Sequence, residues 1–153
     1  MSFEYIKNKF PTDDGFCMPA EFSKHSATVM IWPERPGSWC YKAKFAEKVF
    51  AEIIGKIAEF EKVFVLASDK KFAHAKACLE GVKNAEVLNI NSDDAWARDT
   101  APTFVVNNNG EIRAIDWQFN AWGGEYDGLY ANWENDDKIP YELCNYKVHN
   151  NLY

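Results

Sequence analysis

Three short runs of mostly apolar residues occur within the first 91 residues of the chain. They cover residues 27–32, 62–67 and 85–91, and each is six or seven residues long. Continuous apolar runs of this length are typical of strands that are buried on both faces of a sheet. We therefore interpret all three runs as buried strands.

The segments between these runs have helical periodicity. In 44–60 the apolar residues recur at the spacing of one helix face, although Gly55 interrupts the pattern and would allow close approach to a sheet. That face consists of Phe45, Val49, Phe50, Ile53, Ile54 and Ile57. Ser68 is suited to be the N-cap of a shorter helix through Glu80, with Gly81 at its end. The order strand, helix, strand, helix, strand predicts an α/β fold.

A hairpin is predicted after the third strand. Residues 103–106 and 111–117 flank the pair Asn109-Gly110, which favours the tight turn of a hairpin. After Phe119, several glycines and a proline predict long loops with little regular structure. The chain is thus expected to consist of an irregular arm over 1–26, an α/β core over 27–119 and a loop-rich segment over 120–153.

The composition is that of a soluble globular domain with an acidic balance. Of the 153 residues, 47% are hydrophobic and 26% are charged, and the formal net charge is −6. Because nucleic-acid binding needs a basic face, nucleic acid is excluded as an expected partner. Ten acidic residues, two arginines and four of the six tryptophans lie in 93–137. Such a stretch attracts small cations, unless it is merely a solvated acidic loop face.

Cysteine usage and hydropathy bear on the cellular compartment. The four cysteines form no CxxC pair and have no zinc-ligand spacing, and they are Cys17, Cys40, Cys78 and Cys144. The sequence contains no secretory leader pattern and no apolar run long enough to span a membrane. We therefore expect reduced thiols, a cytoplasmic location and no membrane partner.

The segment 93–100, Asp-Asp-Ala-Trp-Ala-Arg-Asp-Thr, carries the clearest chemical signal. It directly follows the third predicted strand, and ligands of α/β folds bind at the carboxyl ends of strands. Clustered carboxylates can accept paired N–H donors from a planar cation, and the Trp96 ring can pack against that cation or its apolar tail. A guanidinium group fits this description, with Asp99 as the carboxylate that grips it.

Other uses of the same side chains remain open. Arg98 could neutralise Asp93 or Asp94 and make the cluster structural, and a turn or capping role is expected for at least one of these two aspartates. A divalent metal site built from Asp93, Asp94 and Asp99 is a weaker hypothesis, because Trp96 and Arg98 suit a metal poorly.

Three further features of the sequence are less specific. The stretch 120–124, Asn-Ala-Trp-Gly-Gly, permits close approach of a ligand, but a sharp bend after a strand explains it slightly better. The unusual stretch 14–22 is interpreted as an arm on the surface. His25, His74 and His149 share no nucleophile motif with a cysteine, so structural or solvent roles are expected, and His74 is expected to be exposed.

Four segments together resemble the agmatine deiminases of the peptidyl-arginine deiminase family. They are DGFCMPAEF at 14–22, MIWPERPGSW at 30–39, DDAWARDTAPTFV at 93–105 and GEIRAIDWQFNAWGGEYDGLY at 110–130. The similarity runs without large gaps across these segments. Several of them are long and unusual, which makes the match far more specific than a short motif.

The resemblance implies the pentein fold, a propeller of ββαβ-type modules around a central site. It also implies hydrolysis of agmatine to N-carbamoylputrescine and ammonia, a step of putrescine and polyamine synthesis, with no metal and no organic cofactor. In that chemistry a cysteine thiolate attacks the guanidinium carbon, ammonia leaves, and water releases the covalent amidino intermediate. A histidine serves as acid and base, and carboxylates orient the substrate.

By the same match, Asp99 takes the role of a guanidinium-binding carboxylate that is essential to catalysis. Trp96 is expected to lie along the substrate beside it. Asp14, Trp122 and Asp127 also match positions of the family, without assigned roles.

Other motifs of the family are missing from the sequence: a Glu-Gly-Gly segment, an Asn-Gly-His-x-Asp segment and a terminal Gly-Gly-Gly-Asn-x-His-Cys segment. We therefore expect an amino-terminal portion of a pentein deiminase domain, incomplete and inactive by itself. Expected partners are the small cation agmatine and either a second copy or a complementary carboxy-terminal chain, since an incomplete propeller exposes strand edges and apolar faces. The alternative is a non-catalytic module that binds a guanidino ligand or a complementary chain.

Overall fold

The computed structural model describes residues 5–146, in which strands and helices alternate from β2 to β5. The strands are β1 (Phe16–Cys17), β2 (Ala27–Ile31), β3 (Lys62–Ala67), β4 (Ala85–Asn89), β5 (Thr103–Asn107) and β6 (Ile112–Ile115). The α-helices are α1 (Lys44–Ile57), α2 (Phe72–Cys78), α3 (Ala97–Thr100), α4 (Gly124–Asp127) and α5 (Glu134–Tyr146). Across 5–146, no helix has the length and apolar character that crossing a membrane requires.

The strands form two three-stranded sheets of different types. In the first sheet all strands are parallel, and β3 lies between β2 and β4. In the second sheet β5 lies between β1 and β6, and both pairings are antiparallel. Helices α1 and α2 connect the parallel strands, as such connections require. The α/β class and the three strands predicted from the sequence are therefore confirmed, but burial holds mainly for the central strand β3, because most side chains of β2 and β4 are only half-buried.

The parallel sheet is covered on both faces. Because side chains alternate along a strand, Val63, Val65 and Ala67 of β3 point to the face that α1 and α2 cover. Leu66 points to the opposite face and packs with residues of α5. All four side chains are fully buried. This two-sided burial explains why β3 is a continuous apolar run in the sequence.

The predicted hairpin is also confirmed. β5 and β6 pair directly, and the turn between them is held by Asn107, whose Oδ1 accepts hydrogen bonds from the backbone N–H groups of Asn109 and Glu111 at 3.0 Å each. Gly110 has a φ of 78°, a conformation that favours glycine.

The prediction that Ser68 caps α2 is wrong. The helix begins at Phe72, and the side chain of Ser68 donates to Glu34 Oε2 at 2.5 Å instead of capping the helix. Glu34 also accepts the backbone N–H of Ser68 at 2.8 Å. These two hydrogen bonds connect the turn after β3 to the segment after β2. Because the Ser68 hydroxyl is engaged by Glu34, it does not cap α2.

The predicted apolar face of α1 is only partly buried. Ile54 is fully buried against the sheet, whereas Phe45, Val49 and Ile53 face outward with 68%, 50% and 42% of their surface exposed. The expectation that Gly55 lets α1 approach a sheet is also wrong, because a side chain at this position would meet nothing within 4 Å. Helix α1 also ends at Ile57, three residues before the predicted end.

The prediction of a loop-rich segment over 120–153 misses α5, a helix of 13 residues. Pro140 was interpreted as a loop signal, but it lies inside this helix and is buried together with Ile139, Leu143 and Cys144. Residues 147–153, including His149, lie outside the described residues, as do 1–4. The arm over 1–26 contains β1, which pairs with β5.

Candidate functional site

Helix α3, a single turn, holds the acidic end of the 93–100 segment in place. Trp96 precedes the turn, and its carbonyl oxygen accepts the backbone N–H groups of Asp99 and Thr100 at 3.0 Å each. The buried Thr100 hydroxyl donates to the same oxygen at 3.0 Å. Asp99 and Trp96 therefore project from one short, well-bonded turn just before β5.

Trp122 joins this turn from a distant part of the chain. Its indole N–H donates to Asp99 Oδ1 at 3.3 Å, and its ring meets the Trp96 ring edge to face with centroids 5.4 Å apart. Trp96 and Trp122 are 43% and 48% exposed, and Asp99 is exposed as well. Within residues 5–146, Asp99 Oδ2 accepts no hydrogen bond. The site is thus a carboxylate beside two indole rings, open on one side.

The bend at 120–124 places Trp122 there. Ala121 and Trp122 adopt φ values of 53° and 64°, and the Asn120 carbonyl oxygen accepts the backbone N–H of Gly124 at 2.8 Å. A side chain on Gly123 would lie 2.3 Å from the backbone carbon of Asp127. The preferred interpretation as a sharp bend is therefore confirmed, and the same bend positions an aromatic side chain beside Asp99.

Asp93 has a capping role, one of the uses left open by the sequence. Its carboxylate accepts both the backbone N–H and the side-chain amide of Asn135 at 2.8 Å each, at the first turn of α5. Carboxylates at a helix N-terminus satisfy backbone donors that have no partner within the helix. Arg98 does not neutralise this cluster, because it pairs with Glu21 at 2.8 Å on the surface.

Asp136 completes this connection from the α5 side. Its Oδ1 accepts the backbone N–H of Asp93 at 2.7 Å, and its Oδ2 accepts the Tyr130 hydroxyl at 2.5 Å. Asp136 is fully buried, and burial raises the pKa of its carboxyl although the hydrogen bonds oppose this shift. Burial and the hydrogen bond to Asp136 also raise the pKa of Tyr130. The loop before α3 is therefore anchored in the interior.

Asp94 and Arg35 fix the other side of the loop. Asp94 is buried, and it accepts the Ser38 hydroxyl and the backbone N–H of Ala95 at 2.5 and 2.8 Å. The Arg35 guanidinium lies 3.9 Å from Asp94 and 4.2 Å from the centre of the Tyr130 ring. Sequence reasoning named none of Arg35, Ser38, Tyr130 and Asp136 as a supporting residue. Arg35, Ser38 and Tyr130 lie within the segments that resemble the family, which is their only signal in the sequence, whereas Asp136 lies outside those segments.

The arrangement of Asp93, Asp94 and Asp99 does not support the hypothesis of a divalent metal site. Among residues 5–146, no three His, Cys, Asp or Glu side chains are grouped so that they could hold a metal ion. Asp93 and Asp94 are both occupied by protein donors, and only Asp99 faces the open side.

Two histidines have protein partners. The side chain of His74 is 48% exposed, and its Nε2 lies 3.1 Å from Glu47 and 3.6 Å from the Cys78 sulfur. One nitrogen thus faces both groups, whereas a catalytic relay uses the two ring nitrogens separately. Burial and the Glu47 charge raise the pKa of the Cys78 thiol, which disfavours the thiolate. His25 Nδ1 lies 3.4 Å from Glu61.

The other family-matched aspartates occupy different surroundings. Asp14, in the arm that precedes β1, forms ion pairs with Arg113 at 2.8 Å and with Lys9 at 3.1 Å. Asp127 ends α4, and its backbone N–H donates to the Gly123 carbonyl oxygen at 3.4 Å. Neither contact joins these side chains to Asp99.

Comparison with solved structures defines the class of fold. The structure of an agmatine deiminase of Enterococcus faecalis, described as catalysing its reaction, aligns with a TM-score of 0.93 and 38% sequence identity. The alignment covers 98% of this chain and 40% of that chain. The fold is therefore part of a pentein, the fold of the deiminases.

The family follows from the sequence matches. The profile of the Porphyromonas-type peptidyl-arginine deiminases matches residues 17–152, and the chain belongs to that family. It is 49% identical over 133 residues to an agmatine deiminase of Pseudomonas aeruginosa and 48% identical over 133 residues to one of Stutzerimonas stutzeri. Each match covers 87% of this chain and 36% of the relative. The chain thus spans about a third of the length of these curated relatives.

Proposed function

We propose that this chain contributes the guanidinium-binding carboxylate and an aromatic wall to the active site of an agmatine deiminase. The observation that carries the proposal is the position of Asp99 beside Trp96 and Trp122. The relatives named above as agmatine deiminases support agmatine as the substrate. The proposed reaction is hydrolysis of agmatine by one water to N-carbamoylputrescine and ammonia, which serves putrescine synthesis.

The geometry suits a planar cation. The Trp122 indole N–H holds Asp99 Oδ1, which orients the carboxylate, while both oxygens retain lone pairs for two parallel N–H donors of a guanidinium. A half-exposed indole on one side offers a face to the cation or to the methylene chain of agmatine. Asp99 would thus fix the guanidinium carbon in position for attack.

The remaining parts of the mechanism are proposed to lie outside the residues that form this site. A thiolate must attack the guanidinium carbon, and a histidine must move protons between thiol, ammonia and water. No hydrogen bond or ring contact within 5–146 joins a cysteine or histidine to Asp99, Trp96 or Trp122. The four free cysteines of the described chain fit a reducing, cytoplasmic location, which is part of this proposal.

Titration of the chain with agmatine tests the proposed binding site. We expect agmatine to change the tryptophan fluorescence and Asp99→Asn to weaken its binding at least tenfold, because the neutral amide loses a charge-assisted hydrogen-bond pair. Putrescine has an ammonium group in place of the guanidinium, and we expect it to bind more weakly than agmatine.

The matched control is Glu125→Gln, which removes one exposed negative charge from the same acidic stretch. It should leave the affinity for agmatine within about twofold, as screened surface charges contribute little. Equal loss in both variants would show that agmatine responds to net charge alone and would contradict the site. Binding unchanged in Asp99→Asn would remove Asp99 from the proposal.

A further inference from the structure

The two indole rings of the candidate site belong to separate segments of the chain. Trp96 lies between β4 and β5, directly before α3, and Trp122 lies in the bend before α4. Both rings are about half-exposed, so water surrounds much of the pair. An aromatic pair in edge-to-face contact contributes little by itself. The packing behind each ring therefore decides how the two rings are placed relative to each other.

Tyr130 is the support behind Trp122. The two rings meet edge to face with centroids 6.3 Å apart, and Tyr130 is buried. The backbone joins the same two stretches, because the Leu129 N–H donates to the Ala121 carbonyl oxygen at 2.9 Å. A displacement of the Tyr130 ring would therefore displace Trp122.

Arg35 contacts both segments at once. Its guanidinium carbon lies 4.2 Å from the centre of the Tyr130 ring. A terminal guanidinium nitrogen donates to the Asp93 carbonyl oxygen at 3.4 Å, and Nε lies 3.9 Å from Asp94 Oδ2. Arg35 itself belongs to the segment after β2. One side chain from a third segment thus connects the loop before Trp96 to the ring behind Trp122.

A guanidinium group is suited to this double contact. It is planar, so its face can cover an aromatic ring while its N–H donors point outward from its edges. The Asp94 side chain is only 1% exposed, and a buried carboxylate needs a partner of opposite charge. A lysine ammonium could supply the charge, but it has no flat face and no outward fork of donors.

We infer that Arg35 is a positioning residue that sets the relative placement of Trp96 and Trp122 in the proposed agmatine site. The inference rests on the proposed function for the identity of the ligand. Within residues 5–146, no hydrogen bond or ring contact joins Arg35 directly to Asp99 or to either indole. Arg35 acts through the Tyr130 ring on one side and through the loop at 93–94 on the other.

Circular dichroism of the ligand-free chain reads the placement of the rings. Two indoles in contact give an exciton couplet, whose amplitude depends on the distance and angle between them. The couplet of this pair is the signal that both Trp96→Phe and Trp122→Phe abolish. We expect Arg35→Lys to lose most of this signal and to weaken agmatine binding about threefold, less than loss of the carboxylate that contacts the ligand.

Arg113→Lys is the matched control. The Arg113 guanidinium carbon also lies 4.2 Å from a ring centre, that of Phe16, and the group pairs with Asp14 at 2.8 Å. The two arginine side chains are similarly exposed, 21% for Arg113 and 30% for Arg35. Urea unfolding should show comparable small losses of stability in both lysine variants. Only Arg35→Lys should change the couplet and the affinity for agmatine.

Variants of Tyr130 test the route from Arg35 to Trp122. Tyr130→Phe keeps the ring that Arg35 covers, so the couplet should persist. Tyr130→Leu removes the ring, and the couplet should be lost as in Arg35→Lys. Loss in Tyr130→Phe equal to that in Tyr130→Leu would contradict a role of the ring face.

The remaining outcomes separate this inference from the proposed function. A wild-type chain without the couplet, an Arg35→Lys variant that keeps both couplet and affinity, or one that fails to fold overturns the positioning role. Equal effects of Arg35→Lys and Arg113→Lys on the couplet also overturn it. A couplet that depends on Arg35 in a chain that does not bind agmatine supports the positioning of the rings and contradicts the proposed function.

Discussion

At the residue scale, Asp136 is the buried acid on which the site loop depends. Its carboxylate accepts the backbone N–H groups of Asp93 and Asp94 at 2.7 and 3.4 Å, and it also accepts the Tyr130 hydroxyl. Losing this acceptor would leave buried donors without partners, which costs more than the bonds themselves contribute. Asp136 is thus a positioning residue for the turn that carries Asp99.

We expect Asp136→Ala to lower the free energy of unfolding by about 3 kcal/mol, because it leaves backbone and hydroxyl donors unsatisfied. Tyr130→Phe removes only one of the hydrogen bonds, so a loss of about 1 kcal/mol is expected. Urea unfolding followed by circular dichroism measures both values. Equal losses in the two variants would show that the carboxylate does not hold the loop.

The proximity of Asp99 and Trp96 could be predicted from the sequence, because both belong to one contiguous segment after a strand. The contact between Asp99 and Trp122 spans 23 positions, and the bond from Asp93 to Asp136 spans 43. Periodicity and local motifs carry no information on pairs so distant. Asp136 looked like one more member of an acidic run, because burial is a property of the folded chain.

At the scale of elements, Glu47 ties α1 to the beginning of α2. Its carboxylate is buried and accepts hydrogen bonds from the Lys71 ammonium group at 2.6 Å and from His74 Nε2 at 3.1 Å. Burial alone would raise the pKa of this carboxyl, but the hydrogen bonds and charges of Lys71 and His74 outweigh burial and lower the pKa. A lowered pKa in the folded state stabilises the fold above the ordinary pKa of a glutamate, and this stabilisation is lost as the pH falls through the lowered value.

For Glu47→Gln we expect a loss of about 1 to 2 kcal/mol of unfolding free energy at pH 7, since Gln keeps the shape but not the charge. The difference from wild type should shrink as the pH falls below about 4.5, where the unfolded carboxyl also becomes protonated. Thermal unfolding across this pH range measures it. Glu80→Gln, an exposed acid to amide change, is the control, and a difference independent of pH would contradict the assigned charge pairing.

The elements with strong periodicity were predictable, and α5 was not. β3, β4 and the hairpin carry patterns that local physics favours, namely a run of mostly apolar residues or a turn that requires Gly110. Helix α5 contains Pro140, which removes a hydrogen bond inside a helix and normally marks its end. It persists here because Ile139 and Leu143 pack against the parallel sheet, so tertiary burial outweighs the local preference.

At the scale of the whole molecule, the candidate site around Asp99 is open to solvent and not enclosed by the described residues. Asp99, Trp96 and Trp122 are exposed or half-exposed, and the chain spans 36% of the length of its P. aeruginosa relative. The resemblance predicted the pentein fold, and the structural alignments confirm it. The roles assigned to Asp99 and Trp96 stay predictions, because each role is defined by a contact with bound substrate.

The 153-residue chain alone is expected to produce no N-carbamoylputrescine from agmatine. None of the described cysteines is in contact with the site through a hydrogen bond, and burial raises the pKa of the Cys144 thiol to about 12. Without a placed nucleophile the rate should fall by many orders of magnitude. Chromatographic detection of the product checks this, with the P. aeruginosa relative as positive control. Product above the protein-free blank contradicts the prediction.

Asp93 and the first turn of α5 exchange hydrogen bonds, and these bonds determine the order in which the site can form during synthesis. A growing polypeptide folds as its segments leave the ribosome, from the amino terminus onwards. Asp93 emerges 42 and 43 residues before Asn135 and Asp136, so until then the loop is held through Asp94 by Ser38 and Arg35 but lacks its bonds to α5. The strands of the parallel sheet are synthesised before α5 and can pair before these hydrogen bonds form. Nascent chains stalled before and after Asp136 should therefore differ in the protease sensitivity of the loop.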